Sequence, residues 1–330
     1  MTRLFILLAA LCGLATAGQA QCTGTDIRSQ LTEAEQAEVA QRLAQTPYPT
    51  GNHWIATRGE ERLHLIGTVH LSDDRLDGPA ERLAPIIQDA SLLLLEMNAE
   101  DSATLEAQIA SDPSLFLLDG QSLPDLLDQA DWVQLSNALE ARGMPPFMGA
   151  RMKPWYVSVL LSMPACMASQ VAEMNGLDHR LEQIAEDAGV ATASLEPYDT
   201  AIRLFAEIPM ETQLSMIRAA LAPSDVNEDL FETLLATYFT EDHALGQLVL
   251  EVVSPRVTPL DDAENEAVFD SMNDALLTAR NTAWITALEQ ALADTEGTVV
   301  AAFGAAHLAG ETGVLALLEA EGYALERAPF

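Results

Sequence analysis

Between an Ala/Asp-containing helical stretch and the polar segment Asn98-Ala99-Glu100-Asp101 stand four consecutive leucines, Leu92 to Leu95. An apolar run this short and this continuous offers no polar face to water, so Ser91 to Met97 reads as a strand buried on both sides. Such strands belong to sheets covered by helices, which points to the α/β class. The neighbouring segments agree. His53 to Thr57 and Arg62 to Val69, separated by Arg58-Gly59-Glu60-Glu61, read as a β-hairpin. Strand character returns at Thr298 to Phe303, ending on Gly304, and again at Tyr323 to Arg327 after a helix over Glu311 to Glu321.

Between these ends, residues 101 to 295 read as a succession of helices punctuated by proline and glycine. One strand interrupts them at Val190 to Leu195, after a helix over Leu177 to Ala188 that stops at Gly189. Trp155 to Ala168 reads as one apolar core helix, despite Pro164, and is too short for a membrane span. Leu31 to Leu43 reads as an amphipathic helix with Thr32 as a candidate cap. The predicted architecture is a central mixed β-sheet built from the N- and C-terminal segments, with a large helical middle section packed on it. No repeat, linker or low-complexity tract divides the chain, so residues 21–330 are expected to form a single domain.

The first 20 residues read as a cleavable secretory signal: Arg3, an apolar run from Leu4 to Leu14, then small residues that allow cleavage after Ala17 or after Ala20. The run is too short for an ordinary transmembrane helix, and no small residue precedes Cys12 or Cys22 as lipidation would require, so a freely soluble periplasmic or secreted product is expected. Cys22 and Cys166 remain after cleavage in a compartment where disulfides persist. A bridge between them and a buried Cys166 beside a loose Cys22 are both compatible with the sequence. With 16 basic against 50 acidic residues and a formal net charge of −34, the chain lacks the clustered Lys and Arg that phosphate contacts need, which excludes nucleic acid as a partner. Hydrophobic content of 49% excludes intrinsic disorder.

Two of the six histidines share a local frame. His70 ends Ile66-Gly67-Thr68-Val69-His70 and His307 ends Phe303-Gly304-Ala305-Ala306-His307, each directly after an expected strand. Functional groups in open α/β sheets gather beyond the carboxyl ends of strands, and each glycine permits a close backbone approach there. Glu96 lies at the end of the leucine strand, where an unpaired carboxylate would be costly. Two imidazoles and a carboxylate with open positions suit a divalent first-row cation, which lowers the pKa of bound water and polarises a carbonyl. Glu196, after the middle strand, and Arg280-Asn281, in the helix before the last His motif, are secondary candidates. Asp178 falls at a helix start and is expected to cap it; His53, His64 and His243 are expected to be structural. No Gly-x-Ser-x-Gly elbow, phosphate loop, Gly-x-Gly-x-x-Gly or His-Glu-x-x-His occurs, which counts against serine hydrolases, nucleotide enzymes and zincin-type proteases.

Taken together, Leu65-Ile66-Gly67-Thr68-Val69-His70-Leu71, the strand ending in Glu96, Met152-Lys153-Pro154-Trp155, Gly176-Leu177-Asp178, Leu195-Glu196, Arg280-Asn281-Thr282-Ala283-Trp284 and Gly304-Ala305-Ala306-His307-Leu308-Ala309-Gly310 resemble the TraB/PrgY/GumN family, whose animal relatives are the Tiki proteins. The resemblance runs in the family's order over roughly residues 53 to 327. It implies a fold similar to erythromycin esterase and the haem-associated ChaN-like proteins. It also implies a metal-dependent peptidase in which His70, His307 and Glu96 hold a divalent ion, Mn, Co or Zn, with Glu96 as third ligand or general base. In that scheme Arg280 steadies a substrate carboxylate or oxyanion, Glu196 orients a histidine, and the partner is a peptide or protein substrate. The family's pheromone-shutdown members imply the alternative of a non-catalytic protein that sequesters a peptide signal or haem. Unlike the animal Tikis, the chain carries no membrane anchor.

Overall fold

The computed structural model describes residues 22–167 and 175–330; the expected signal segment and Ala168 lie outside them. Among the described residues, six strands form one sheet: β1 (His53–Arg58), β2 (Glu61–Thr68), β3 (Leu92–Leu95), β4 (Ala191–Ser194), β5 (Val299–Gly304) and β6 (Ala324–Arg327), in the spatial order β4-β3-β5-β2-β1-β6. β2, β5, β3 and β4 run parallel, while β1 pairs antiparallel with both β2 and β6. The sheet is therefore mixed and draws on both ends of the chain, and the one strand from the helical middle, β4, takes the edge.

The sequence explains where burial falls. The near-continuous apolar strands are the central ones: Leu93 and residues 299–303 of β5 are fully buried. In the flanking hairpin β2 is buried from Leu63 to Thr68, and β1 is more open. Connections from β2 to β3 to β4 run one way across the sheet, and those from β4 back to β5 and on to β6 run the other. Right-handed crossovers then put the helices Asp77–Gln88 and Leu177–Ala188 on one face and Ala279–Asp294 with Val314–Ala320 on the other. Leu83, Ile87 and Leu181 from the first pair and Trp284, Leu288, Leu315 and Leu318 from the second join the same core. The helices of the middle section leave from the carboxyl ends of β3 and β4 and close around that edge.

Several boundaries differ from the sequence expectation. The apolar segment beginning near Trp155 is helical only over Pro154–Ser162, and Pro164, which has no N–H to continue the ladder, is followed by a short 3-10 turn at Ala165–Met167. The last helix spans Val314–Ala320 rather than starting at Glu311. Thr32 caps Glu33–Leu43 as expected, through a reciprocal pair with Glu35. His53, His64 and His243 are buried and hydrogen-bonded: His53 bridges the Pro329 carbonyl and His64, and His243 meets Asn52. No helix among the described residues is long and apolar enough to cross a membrane.

Cys22 and Cys166 form a disulfide, with their Cα atoms 5.4 Å apart. The extension it anchors also lies along the helix Ser224–Phe239, where Glu228 accepts from Thr23 N and the Thr233 hydroxyl accepts from Ile27 N. Crosslinking across a sequence separation of 144 residues reduces the entropy of the unfolded chain by an amount equivalent to about 5 kcal/mol at most. Cys166→Ser should therefore lower the urea midpoint of the oxidised protein, and dithiothreitol should lower the wild type to the same level. Equal midpoints with and without reductant would show that the bridge contributes nothing.

Candidate functional site

The four parallel strands point their carboxyl ends to one edge. Thr68 is in register with Gly304, and Leu95 with both Ala302 and Ser194. Whatever follows these strands must meet there, so His70, His307, Glu96 and Glu196 converge although 237 positions separate the first from the second. Four of the five predicted site residues arrive by this route. The fifth, Arg280, comes from the helix Ala279–Asp294 and reaches in from above.

Glu96 occupies the middle. Its Oε1 accepts from the Gly304 amide at 2.7 Å and its Oε2 from Arg280 Nη2 at 2.6 Å. Oε1 also faces both histidines, 3.8 Å from His70 Nε2 and 3.7 Å from His307 Nε2. Gly304 suits this approach, because a Cβ there would stand 3.3 Å from Oε1, tighter than an ordinary contact. The remaining nitrogen of each ring is tied back. His307 Nδ1 lies 2.6 Å from Asn281 Oδ1, and Asn281 donates its Nδ2 to the Thr312 carbonyl, which fixes its oxygen toward the ring. His307 must therefore carry its proton on Nδ1 and present a bare Nε2 to Glu96. His70 Nδ1 lies 3.0 Å from Asp178 Oδ2 in the same manner.

Asp178 corrects the sequence expectation. The cap position of its helix is Gly176, and Asp178 instead holds His70. Gly176 has no room for a side chain, since a Cβ would fall 2.3 Å from the Val69 carbonyl. That close approach, together with the Leu177 amide on the same carbonyl at 2.9 Å, delivers Asp178 to the imidazole. The Gly176-Leu177-Asp178 triplet is thus one device. Asn281 was likewise not anticipated in this role; its place beside Arg280 on one helix was the available signal.

Arg280 and Glu196 also play other parts than expected. Glu196 meets no histidine; it accepts from Arg280 Nε at 2.9 Å, from Nη2 at 2.7 Å and from Trp284 Nε1 at 2.8 Å. Arg280 Nη1 bonds the Leu276 carbonyl at 3.2 Å and lies 3.5 Å from His307 Nε2. The guanidinium has five N–H donors, and all five are engaged inside the protein. Only 7% of the residue is exposed. Arg280 is the organiser of the cluster rather than a free clamp for substrate.

The electrostatics follow from these contacts. Burial pushes Glu96 up, but His307, His70, Arg280 and the Gly304 amide outweigh it and hold the carboxyl down at about 2. Burial is also the largest influence on His307, with Arg280 and His70 adding to it, and lowers it to about 4. Because His307 is then neutral near pH 7, the lasting pull on Glu96 comes from Arg280, His70 and the amide. Burial lowers His70 too, yet Asp178 and Glu96 overcome it and raise the group to about 9, tempered by water because half of this side chain is exposed. Two histidines facing one carboxylate oxygen thus hold opposite protonation states.

Two imidazole Nε2 atoms with their Nδ1 partners fixed, around one carboxylate oxygen, have the donor chemistry of a His-His-carboxylate cation site and the outer hydrogen bonds such ligands take. Its closure is incomplete: among the described residues no three His, Cys, Asp or Glu side chains are grouped closely enough to hold a metal as they stand. His70, His307 and Glu96 are the residues that would hold such a cation, which would supply Lewis acidity there.

Comparison with known proteins bears on the same residues. A family model described as TraB/PrgY/gumN family matches residues 52–327, the whole span from β1 to β6. The chain belongs to the TraB/PrgY/gumN family. It is also similar to the protein named YbaP of Escherichia coli strain K12 and of Shigella flexneri, each 21% identical over 267 residues that cover 79% of this chain and 91% of the relative. The sheet edge described above is therefore the candidate site of a TraB/PrgY/gumN protein.

Replacing Arg280 with Met leaves Glu96 and Glu196 as buried, uncompensated charges, so the unfolding free energy at pH 7 should fall by about 3–5 kcal/mol in urea titrations; a loss under 1 kcal/mol would contradict the organising role. Glu96 is lowered from 4.5 to about 2, so its contribution is complete above pH 4.5 and is lost as the pH falls toward 2. Glu96→Gln should flatten that part of the acid stability curve, and an unchanged curve would remove Glu96 from the network.

Proposed function

We infer that the protein is a secreted or periplasmic metal-dependent hydrolase acting on peptides, with His70, His307 and Glu96 as the ligands of a divalent cation such as Mn, Co or Zn. The observation that supports this most is the pair of Nε2 atoms directed at Glu96 Oε1 while Asp178 and Asn281 hold the opposite ring nitrogens. The Cys22–Cys166 bridge suits an oxidising compartment outside the cytosol.

When bound, the cation supplies Lewis acidity toward a carbonyl and acidifies water. The chain's own residues supply the rest. Glu96, held at about 2, is a weak base and suits ligation better than proton abstraction. Asn281 keeps the His307 lone pair on Nε2. Arg280 and Glu196 fix Glu96 without meeting substrate. Asp178 holds the Nδ1 proton of His70, which leaves Nε2 for the cation.

The alternative, a non-catalytic protein that binds a peptide signal or haem, draws on one observation: Arg280 and the Gly304 amide already satisfy Glu96. Elemental analysis separates the two. After equilibration with Mn, Co or Zn, the mature protein should retain about one equivalent of metal and cleave members of a peptide library, while His70→Ala and His307→Ala lose both. His70 is half-exposed, so His70→Ala should remain folded. Absence of metal from a folded wild type under all three conditions would overturn the metallohydrolase and favour the binding protein.

A further inference from the structure

Two cavities meet at the candidate site, and His70, Glu96 and Arg280 border both. One, of about 450 Å³, has the carboxylates of Asp178, Glu182 and Glu196 in its wall. The other, of about 500 Å³, runs behind His70 and His307 under the helices of the middle section, and Leu234, Leu250, Phe269, Met272, Leu276 and Leu277 give it an apolar wall. Its size lies within the range of small-molecule sites, and an apolar wall of this kind favours an apolar occupant. Leu276 and Leu277 reach it from a π-helical turn, Asp274–Thr278, immediately before Arg280. An inserted residue of that kind re-aims the side chains of a helix and is common beside functional sites.

The charges restrict the occupant. Every N–H of Arg280 is engaged, His70 is paired with Asp178, and the other formally charged residues of the lining are Glu96 and Glu251. A fatty-acid carboxylate or a haem propionate would meet two carboxylates and find no unpaired guanidinium or ammonium, whereas a neutral amide would meet no penalty.

Resting on the peptide hydrolase reading, we propose that this cavity is the pocket for a bulky apolar side chain of a peptide substrate, beside the amide presented to His70, Glu96 and His307. The second cavity takes the chain on the other side. The protein is thereby selective for peptides with an aromatic or large aliphatic residue next to the attacked bond.

The test uses the mature, disulfide-bonded protein and blocked pentapeptides, acetyl-Gly-Gly-Xaa-Gly-Gly-amide, with Phe, Leu, Ser or Asp at the centre. Binding is read by calorimetry and cleavage by mass spectrometry. The Phe and Leu peptides should bind about tenfold or more tightly than the Ser and Asp peptides. Leu277→Arg should bring the four within about twofold, and Leu277→Ala, which folds more readily, should move the preference toward a Trp peptide. Equal binding of the Phe and Ser peptides, a preference that survives Leu277→Arg, or stoichiometric haemin binding that Leu277→Arg abolishes would overturn the proposal. Selective binding of Phe peptides that stay intact with metal-loaded protein would sink the hydrolase and leave the pocket; cleavage with no side-chain preference would do the reverse.

Discussion

The guanidinium of Arg280, buried between Glu96 and Glu196, holds the candidate site together. Two carboxylates at the ends of neighbouring strands would repel each other and resist burial. One cation with donors on both makes their proximity favourable, and the same group reaches toward His307 and carries the Leu276 carbonyl of the preceding turn. Removing any member leaves a largely buried charge without its partner. The network therefore sets the position of Glu96 and, through it, the common focus of the two histidines. Trp284 extends it, donating to Glu196 while its ring lies 4.4 Å from that of His307.

This arrangement depends on the polarity of the sheet. Parallel strands present all their carboxyl ends on one side, and the residues that follow β2, β3, β4 and β5 have no alternative edge. Small side chains then set the distances. Gly304 admits the Glu96 carboxylate to its amide, and Gly176 lets a helix start press against the backbone of Val69 and His70, so that Asp178 reaches the ring. The two histidines end up chemically unlike although their sequence frames match. One is half-exposed beside an aspartate, the other is enclosed beside a carboxamide and a guanidinium, and their affinities for a proton separate in opposite directions.

The sequence by itself determined the α/β class, all six strands to within about two residues, the capping of Glu33–Leu43 and the five residues that meet at the site, because each of these rests on local patterning: apolar runs, glycine and proline stops, and charged groups placed at strand ends. Family membership was legible for the same reason, as a series of short motifs in order. Only the tertiary structure decided what those residues do to one another. Asp178 looks like a helix cap in one dimension and is a histidine partner in three; Glu196 holds Arg280 instead of a histidine; Arg280 has no donor left for substrate. The break after Ser162 and the Cys22–Cys166 bridge were also settled in space. Hydrogen-bond partners, burial and the fate of a proton depend on distances between segments up to 237 residues apart, and no local pattern encodes those distances.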